Sequence, residues 1–141
     1  MFDYSKAKIL VPGPESQAEA LVLTAPISFW GGVDPKTSKI ADVRHPQHGM
    51  EIKGRVLFIP GTIGSSSASA ILLELVHRRI APAALILHEP DAILLLGLIV
   101  AREMGWETPG AWQLDKAGFS DASAPRAADG RAVSGSPTGR G

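Results

Sequence analysis

Nine residues, Ile59-Pro60-Gly61-Thr62-Ile63-Gly64-Ser65-Ser66-Ser67, hold most of the chemistry this chain could do. Before them, Arg55 to Ile59 reads as a short buried strand; after them, Ala68 to Arg79 reads as a helix, with Ile71, Leu72, Leu75 and Val76 on one face. The first turn of a helix leaves four amide donors without intrahelical partners, and their summed dipole favours an anion. Glycine lets a ligand approach the backbone closely. Such a turn can hold a carboxylate or phosphate, or stabilise an oxyanion on a serine. An ordinary serine N-cap would use the same residues. A nucleotide P-loop would not, because the Gly-Lys-Ser/Thr ending is missing.

Other polar candidates are weaker. His45 and His48 stand three apart, as metal ligands can, but no third ligand cluster accompanies them, and they read as loop histidines. His88-Glu89 follows an apolar strand pattern, at the kind of edge that faces ligand in α/β sheets; it reads first as a satisfied polar pair. Phe29-Trp30 reads as half core and half cleft wall, and Asp34 as a turn former before Pro35. No metal site is assigned to this chain. It has no cysteine, so it forms no disulfide and offers no thiolate to zinc or to an iron–sulfur cluster. Any such cluster would have to be held by another chain.

Several elements must position the serine turn. Ile9 to Val11, Ala18 to Ala25 and Ile27 to Trp30 have strand length and strand flanks, and Ile40 to Val43 is a weaker strand. Ala83 to Leu87 reads as a second buried strand. Asp91 can cap a helix running to Met104, with Gly105 as its stop, and Ala111 to Leu114 completes the series. The pattern predicts an α/β fold with a β-rich N-terminal half and a βαβαβ C-terminal half, the latter parallel. The run Ile93 to Val100 is apolar all round and reads as a buried or partner-facing helix.

The chain of 141 residues carries 14 Lys and Arg against 14 Asp and Glu, with no basic stripe, so nucleic acid is not an expected partner. The N-terminus lacks the apolar core of a signal peptide, and the longest apolar run, Ala92 to Ala101, is too short to span a bilayer. A cytoplasmic protein with no membrane contact is expected. One domain over residues 1–133 is anticipated, compact over about 8–114, then a disordered tail at 134–141 rich in Ser and Gly.

Ser28-Phe29-Trp30-Gly31-Gly32-Val33-Asp34-Pro35, His45-Pro46, Gly54-Arg55-Val56-Leu57 and Gly64-Ser65-Ser66-Ser67 together closely resemble the small subunit of aconitase X enzymes. The likeness covers about Lys8 to Leu114 and extends towards Asp129-Gly130-Arg131, which looks like a family hairpin turn. The resemblance implies the swivelling β/β/α domain of the aconitase superfamily. It also implies a dehydratase active only with a large subunit, which carries the iron–sulfur or iron centre and most substrate contacts. Ser65 is implied as the catalytic base. Gly64, Ser66, Ser67, Ser28, Trp30 and Gly31 are the expected substrate-binding residues. Small hydroxy acids are the implied substrates: cis-3-hydroxy-L-proline in bacterial members, giving a cyclic imino acid, and phosphomevalonate in archaeal ones. Ser67 stands where ordinary aconitases carry an Arg, which counts against direct pairing of a substrate carboxylate by an Arg at this position.

A serine is a poor base. Its alkoxide forms with a pKa roughly like that of water, far above neutrality. Bringing that to neutrality costs about 8 units, or roughly 11 kcal/mol. A helix N-terminus supplies at most about 2 kcal/mol. The turn cannot activate Ser65 alone, which favours a composite active site. A non-catalytic anion-binding or scaffold subunit is the reading from another class.

Overall fold

Two strands buried on both faces, β3 (Val56–Ile59) and β4 (Ala84–Leu87), run through the middle of the sheet. The computed structural model describes residues 2–64, 66–120 and 122. Every residue of β3 and β4 is apolar and buried, as a parallel strand covered on both sides requires. Among the described residues the sheet has five strands, in the order β1-β5-β4-β3-β2. Strands β2 (Ala20–Val22), β3, β4 and β5 (Gly110–Gln113) pair in parallel, while β1 (Lys8–Val11) closes the edge antiparallel to β5. With α2 (Ala68–His77) and α3 (Ala92–Glu103) between successive strands, β3 to β5 form the βαβαβ unit read from the sequence.

The two-residue period of the strands sorts their side chains into two cores. Leu57, Ile59, Leu85 and Leu87 join Leu72 and Leu75 of α2 and Leu94 and Leu98 of α3. On the other face Val56, Phe58, Ala84, Ile86 and Trp112 meet Phe2 and Tyr4 of the N-terminal turn. Beyond Leu114, residues 116–120 are helical, and the Phe119 ring lies edge-on to Phe58, with ring centres 5.9 Å apart.

Helix α3 ends as its sequence suggests, and α2, read as running to Arg79, ends at His77. The Asp91 carboxylate accepts the Leu94 amide at 3.0 Å and caps α3. At the other end the Trp106 amide reaches Ala101 O and Gly105 takes φ +78°. Helix α2 closes in the same way, its Ile80 amide reaching Leu75 O, but with Arg79 rather than glycine in the left-handed conformation, at φ +61°.

In the front half two of the strands read from the sequence do not form and a third is shorter. Ala18 to Ala25 is a strand only over β2. Ile27 to Trp30 is not a strand: Ile27 makes one parallel bridge to Thr62 and the chain then enters α1 (Phe29–Gly32), a kinked helical turn. Ile40 to Val43 contributes only the bridge between Val33 and Ile40. These runs bond singly to loop backbone rather than to one neighbouring strand, Ile27 N–H to Gly61 O, Ile40 N–H to Met50 O and Ala41 N–H to Gly32 O, and polar side chains tie down the loops around them. Asp34 Oδ1 accepts the Lys36 amide at 2.8 Å, Ser38 Oγ accepts the Lys53 amide at 2.9 Å, and Gln47 Oε1 accepts the Thr24 amide at 3.0 Å.

Helix α3 divides the expectation made for it. Leu94, Leu95, Leu98 and Ala101 are buried, whereas Ile93, Leu96, Ile99 and Val100 stay between 42% and 50% exposed. Among the described residues no helix is long and apolar enough to cross a membrane. The expected hairpin at Asp129-Gly130-Arg131 and the 134–141 tail lie outside the described residues.

Candidate functional site

The turn from Pro60 to Ser67 leaves the carboxyl end of β3 and enters α2, so it lies at the edge where parallel α/β sheets receive ligands. Its base is held from two sides. On one side the Ile27 amide donates to Gly61 O at 3.2 Å and the Ile63 amide donates to Ile27 O at 3.0 Å. On the other, Thr62 Oγ1 donates to Asp91 Oδ2 at 2.7 Å. Past the base the turn opens: a Cβ placed on Gly64 would meet nothing within 4 Å.

Ser65 lies outside the described residues; its neighbours Gly64 and Ser66 are both exposed. The Ser66 carbonyl accepts the Ser69 hydroxyl at 3.3 Å, which ties the end of the turn to the first residues of α2. Ser67 occupies the N-cap position, yet its backbone is already helical at φ −83° and ψ −10°. An N-cap hydroxyl needs an extended backbone to reach forward to the second or third helical amide, and Ser67 makes no such bond to α2.

The bridge from Ile27 to Thr62 brings the segment Ser28 to Gly32 beside this turn. Phe29 is buried at 2% exposure and anchors the segment, while Trp30 is 58% exposed. Phe29 is thus the core half of the pair, and Trp30 faces outward. Ser28 Oγ donates to Trp30 O at 3.0 Å, and Gly31 takes φ +80° with open space around it. A side chain at Gly31 would therefore be strained by its backbone rather than by a neighbour. Exposed Ile63, at 58%, adds a second apolar surface near the turn.

The sequence reading took Asp91 only as a cap and missed its second bond. The carboxylate spans two elements, accepting Leu94 N–H on Oδ1 and Thr62 Oγ–H on Oδ2. No spacing rule links residues 29 apart, so nothing local could have shown it. Glu89, exposed on the same side, has Oε1 3.5 Å from where a Cβ on Gly61 would sit. His88 instead turns towards the sheet, with Nδ1 3.4 Å from Leu114 O and its ring against Phe119.

His45 is a structural residue. Its Nδ1 accepts the Gln47 amide at 3.0 Å, which makes Nε2 the protonated nitrogen, donating to Ala25 O at 3.1 Å. Both ring nitrogens are thus used, and His48 is exposed. The donor set does not fit an iron–sulfur cluster: the chain has no cysteine, and the described residues contain no group of three or more His, Asp or Glu able to hold a metal ion. A surface hollow of about 440 Å³ between Pro12, Arg102 and Trp106 lies by the start of β5, at the opposite edge of the sheet from the turn.

The chain resembles known proteins in sequence and in fold. The family model of the aconitase X swivel domain matches residues 5–128. The chain is 48% identical over 97 residues to cis-3-hydroxy-L-proline dehydratase of Pseudomonas aeruginosa, covering 69% of this chain and 17% of that protein. It is 41% identical over 87 residues to the phosphomevalonate dehydratase small subunit of Methanothermobacter thermautotrophicus, covering 62% of this chain and 66% of that subunit. The matched region is thus a small part of the first relative and just under two thirds of the second. Among solved structures, aconitase X of Thermococcus kodakaraensis in its holo form superposes with a TM-score of 0.68 at 30% identity, covering 77% of each chain. A UPF0107 protein solved by NMR superposes with a TM-score of 0.70 at 27% identity, covering 83% of each.

Proposed function

The chain belongs to the aconitase X swivel domain family, and from that premise we propose that it is the small subunit of a two-chain hydro-lyase that dehydrates cis-3-hydroxy-L-proline to a cyclic imino acid. The observation that carries the proposal is the meeting of two Gly-rich segments, Ser28 to Gly32 and Gly61 to Ser67, at the N-terminus of α2. They form one wall of a site and lack the cationic groups that a serine base needs. No Lys or Arg occurs between Pro60 and Leu75.

In this proposal Ser65 takes the proton from the carbon bearing the carboxylate while hydroxide leaves the neighbouring carbon. Gly64, Ser66 and Ser67 offer amides and hydroxyls to the substrate carboxylate, with Ser28, Trp30 and Gly31 shaping the opposite side. The large subunit supplies the metal centre, whether iron–sulfur cluster or iron, and the positive charge that lowers the serine pKa. That charge has to make up most of the roughly 11 kcal/mol separating a free alkoxide from neutral pH. The complex works in the cytoplasm in this reading.

Support for the proline substrate comes from the 48% identity to the Pseudomonas dehydratase and from the lack of a basic residue in the turn, which a phosphorylated substrate would favour. Phosphomevalonate is the second reading, supported by the relatives named as its dehydratase small subunits. The test is co-expression with a cysteine-bearing large subunit, followed by assays on both substrates and on the isolated chain. Loss of cis-3-hydroxy-L-proline with release of water, only in the complex, is the expected result. Turnover of phosphomevalonate alone would replace the substrate, and turnover of neither would leave a non-catalytic anion-binding or scaffold subunit.

A further inference from the structure

The geometry points to Thr62 as a positioning residue for the serine turn, clamped by Asp91, and we infer that this clamp sets the turnover rate of the complex; the inference rests on the dehydratase reading above. Thr62 lies three residues before Ser65. Between them the chain passes Gly64, around which there is open space. A serine on such a stretch is placed only as well as the two ends of the stretch are held. The far end is fixed by α2, through the Ser69 hydroxyl on the Ser66 carbonyl.

The near end is fixed at Thr62. Its backbone is bracketed by the two bonds that Ile27 makes to Gly61 and Ile63. Its side chain makes the 2.7 Å bond to Asp91, which holds the turn to the N-terminus of α3. The acceptor is a carboxylate already fixed by its bond to the Leu94 amide, so it cannot swing away without uncapping α3. Charge-assisted bonds of this kind are the strong ones. The clamp therefore joins three separate pieces of the fold: the α1 segment through Ile27, the serine turn, and the cap of α3. Small misplacements of a reacting group are costly in rate even when the group itself is intact.

The experiment compares Thr62→Val, which removes the hydroxyl at nearly constant volume and leaves Asp91 free to cap α3, with Thr62→Ser, which restores the donor. Two readouts are needed. In the isolated chain, amide hydrogen exchange is followed by NMR at Ile63 and Leu94. In the complex with the large subunit, kcat and KM are measured on cis-3-hydroxy-L-proline and phosphomevalonate. Loss of a hydrogen bond to a charged group corresponds to about tenfold or more. Thr62→Val should speed exchange at Ile63 by about that factor and leave Leu94 unchanged. It should lower kcat by a similar factor with KM changed less than about threefold, and Thr62→Ser should restore both. Unchanged exchange at Ile63 would overturn the clamp, whatever the complex does. Faster exchange with kcat unaltered would overturn its role in turnover. An inactive wild-type complex alongside faster exchange in Thr62→Val would instead sink the dehydratase reading, and with it any role of the clamp in turnover.

Discussion

Gly97 of α3 lies so close to Ser69 of α2 that a Cβ on Gly97 would fall 2.5 Å from the Ser69 carbonyl oxygen. The contact is backbone against backbone, so no side chain can rotate to relieve it. It sits in the first turn of α2 and fixes the distance between the helix that follows the serine turn and the helix capped by Asp91.

Gly97→Ala should therefore destabilise the domain, although alanine is the better helix former. Overpacking a tight contact costs about 1–3 kcal/mol, against about 1 kcal/mol gained from helix propensity. Thermal melting of the isolated chain would show a Tm below that of the wild type. A raised Tm would mean that the helices part easily.

Ser65→Ala should abolish dehydration in the reconstituted complex while assembly and stability hardly change. Loss of a positioned base lowers the rate by about 10²–10⁴, whereas loss of a cap costs about 1 kcal/mol. Ser66→Ala and Ser67→Ala should be milder and act on KM. Retention of more than about a tenth of the activity in Ser65→Ala would assign the base to the large subunit.

Trp30→Ala should leave the isolated chain nearly as stable as before, within about 0.5 kcal/mol, because the side chain is 58% exposed. Its effect should appear on assembly. A buried aromatic anchor at an interface is worth about 2 kcal/mol or more, so titration against the large subunit should show weaker binding by tenfold or more. Equal affinity would take Trp30 out of the subunit interface and leave it to the substrate side of the site.

Tyr4 gives the chain a predictable alkaline limit. Its hydroxyl donates to Ser16 O, and its ring packs on Trp112 at 4.5 Å. Burial, with Glu15 nearby, pushes its pKa up to about 12. The folded state then keeps the phenolic proton over a range where the unfolded chain, with a pKa of about 10, has lost it. Stability from this group is complete below pH 10 and is lost as pH rises towards 12. Urea unfolding at pH 9 and pH 11.5 should show the loss in wild type and a smaller one in Tyr4→Phe. Equal losses in both would place the alkaline sensitivity elsewhere.

The back half of the fold was legible because its signals are local. A strand buried on both faces must be apolar at every position, as Val56–Ile59 and Ala84–Leu87 are, and Asp91 and Gly105 mark helix ends within one turn of themselves. The resemblance carried by Ser28 to Pro35 and by Gly64 to Ser67 likewise needs only the order of residues, and it led to the family whose model matches residues 5–128. The front half misled because apolar runs such as Ile27 to Trp30 and Ile40 to Val43 have strand composition, and no local rule says whether a partner edge will be available. Tertiary structure decided that: Ile40 and Ala41 bond to Met50 and Gly32 in the surrounding loops, and Ile27 is left with a single bridge to Thr62. The same limit hid the bond from Thr62 to Asp91. Sequence fixes which groups can donate and accept, but two groups 29 residues apart meet only when β4 lies beside β3 and delivers the start of α3 to the edge where the serine turn begins.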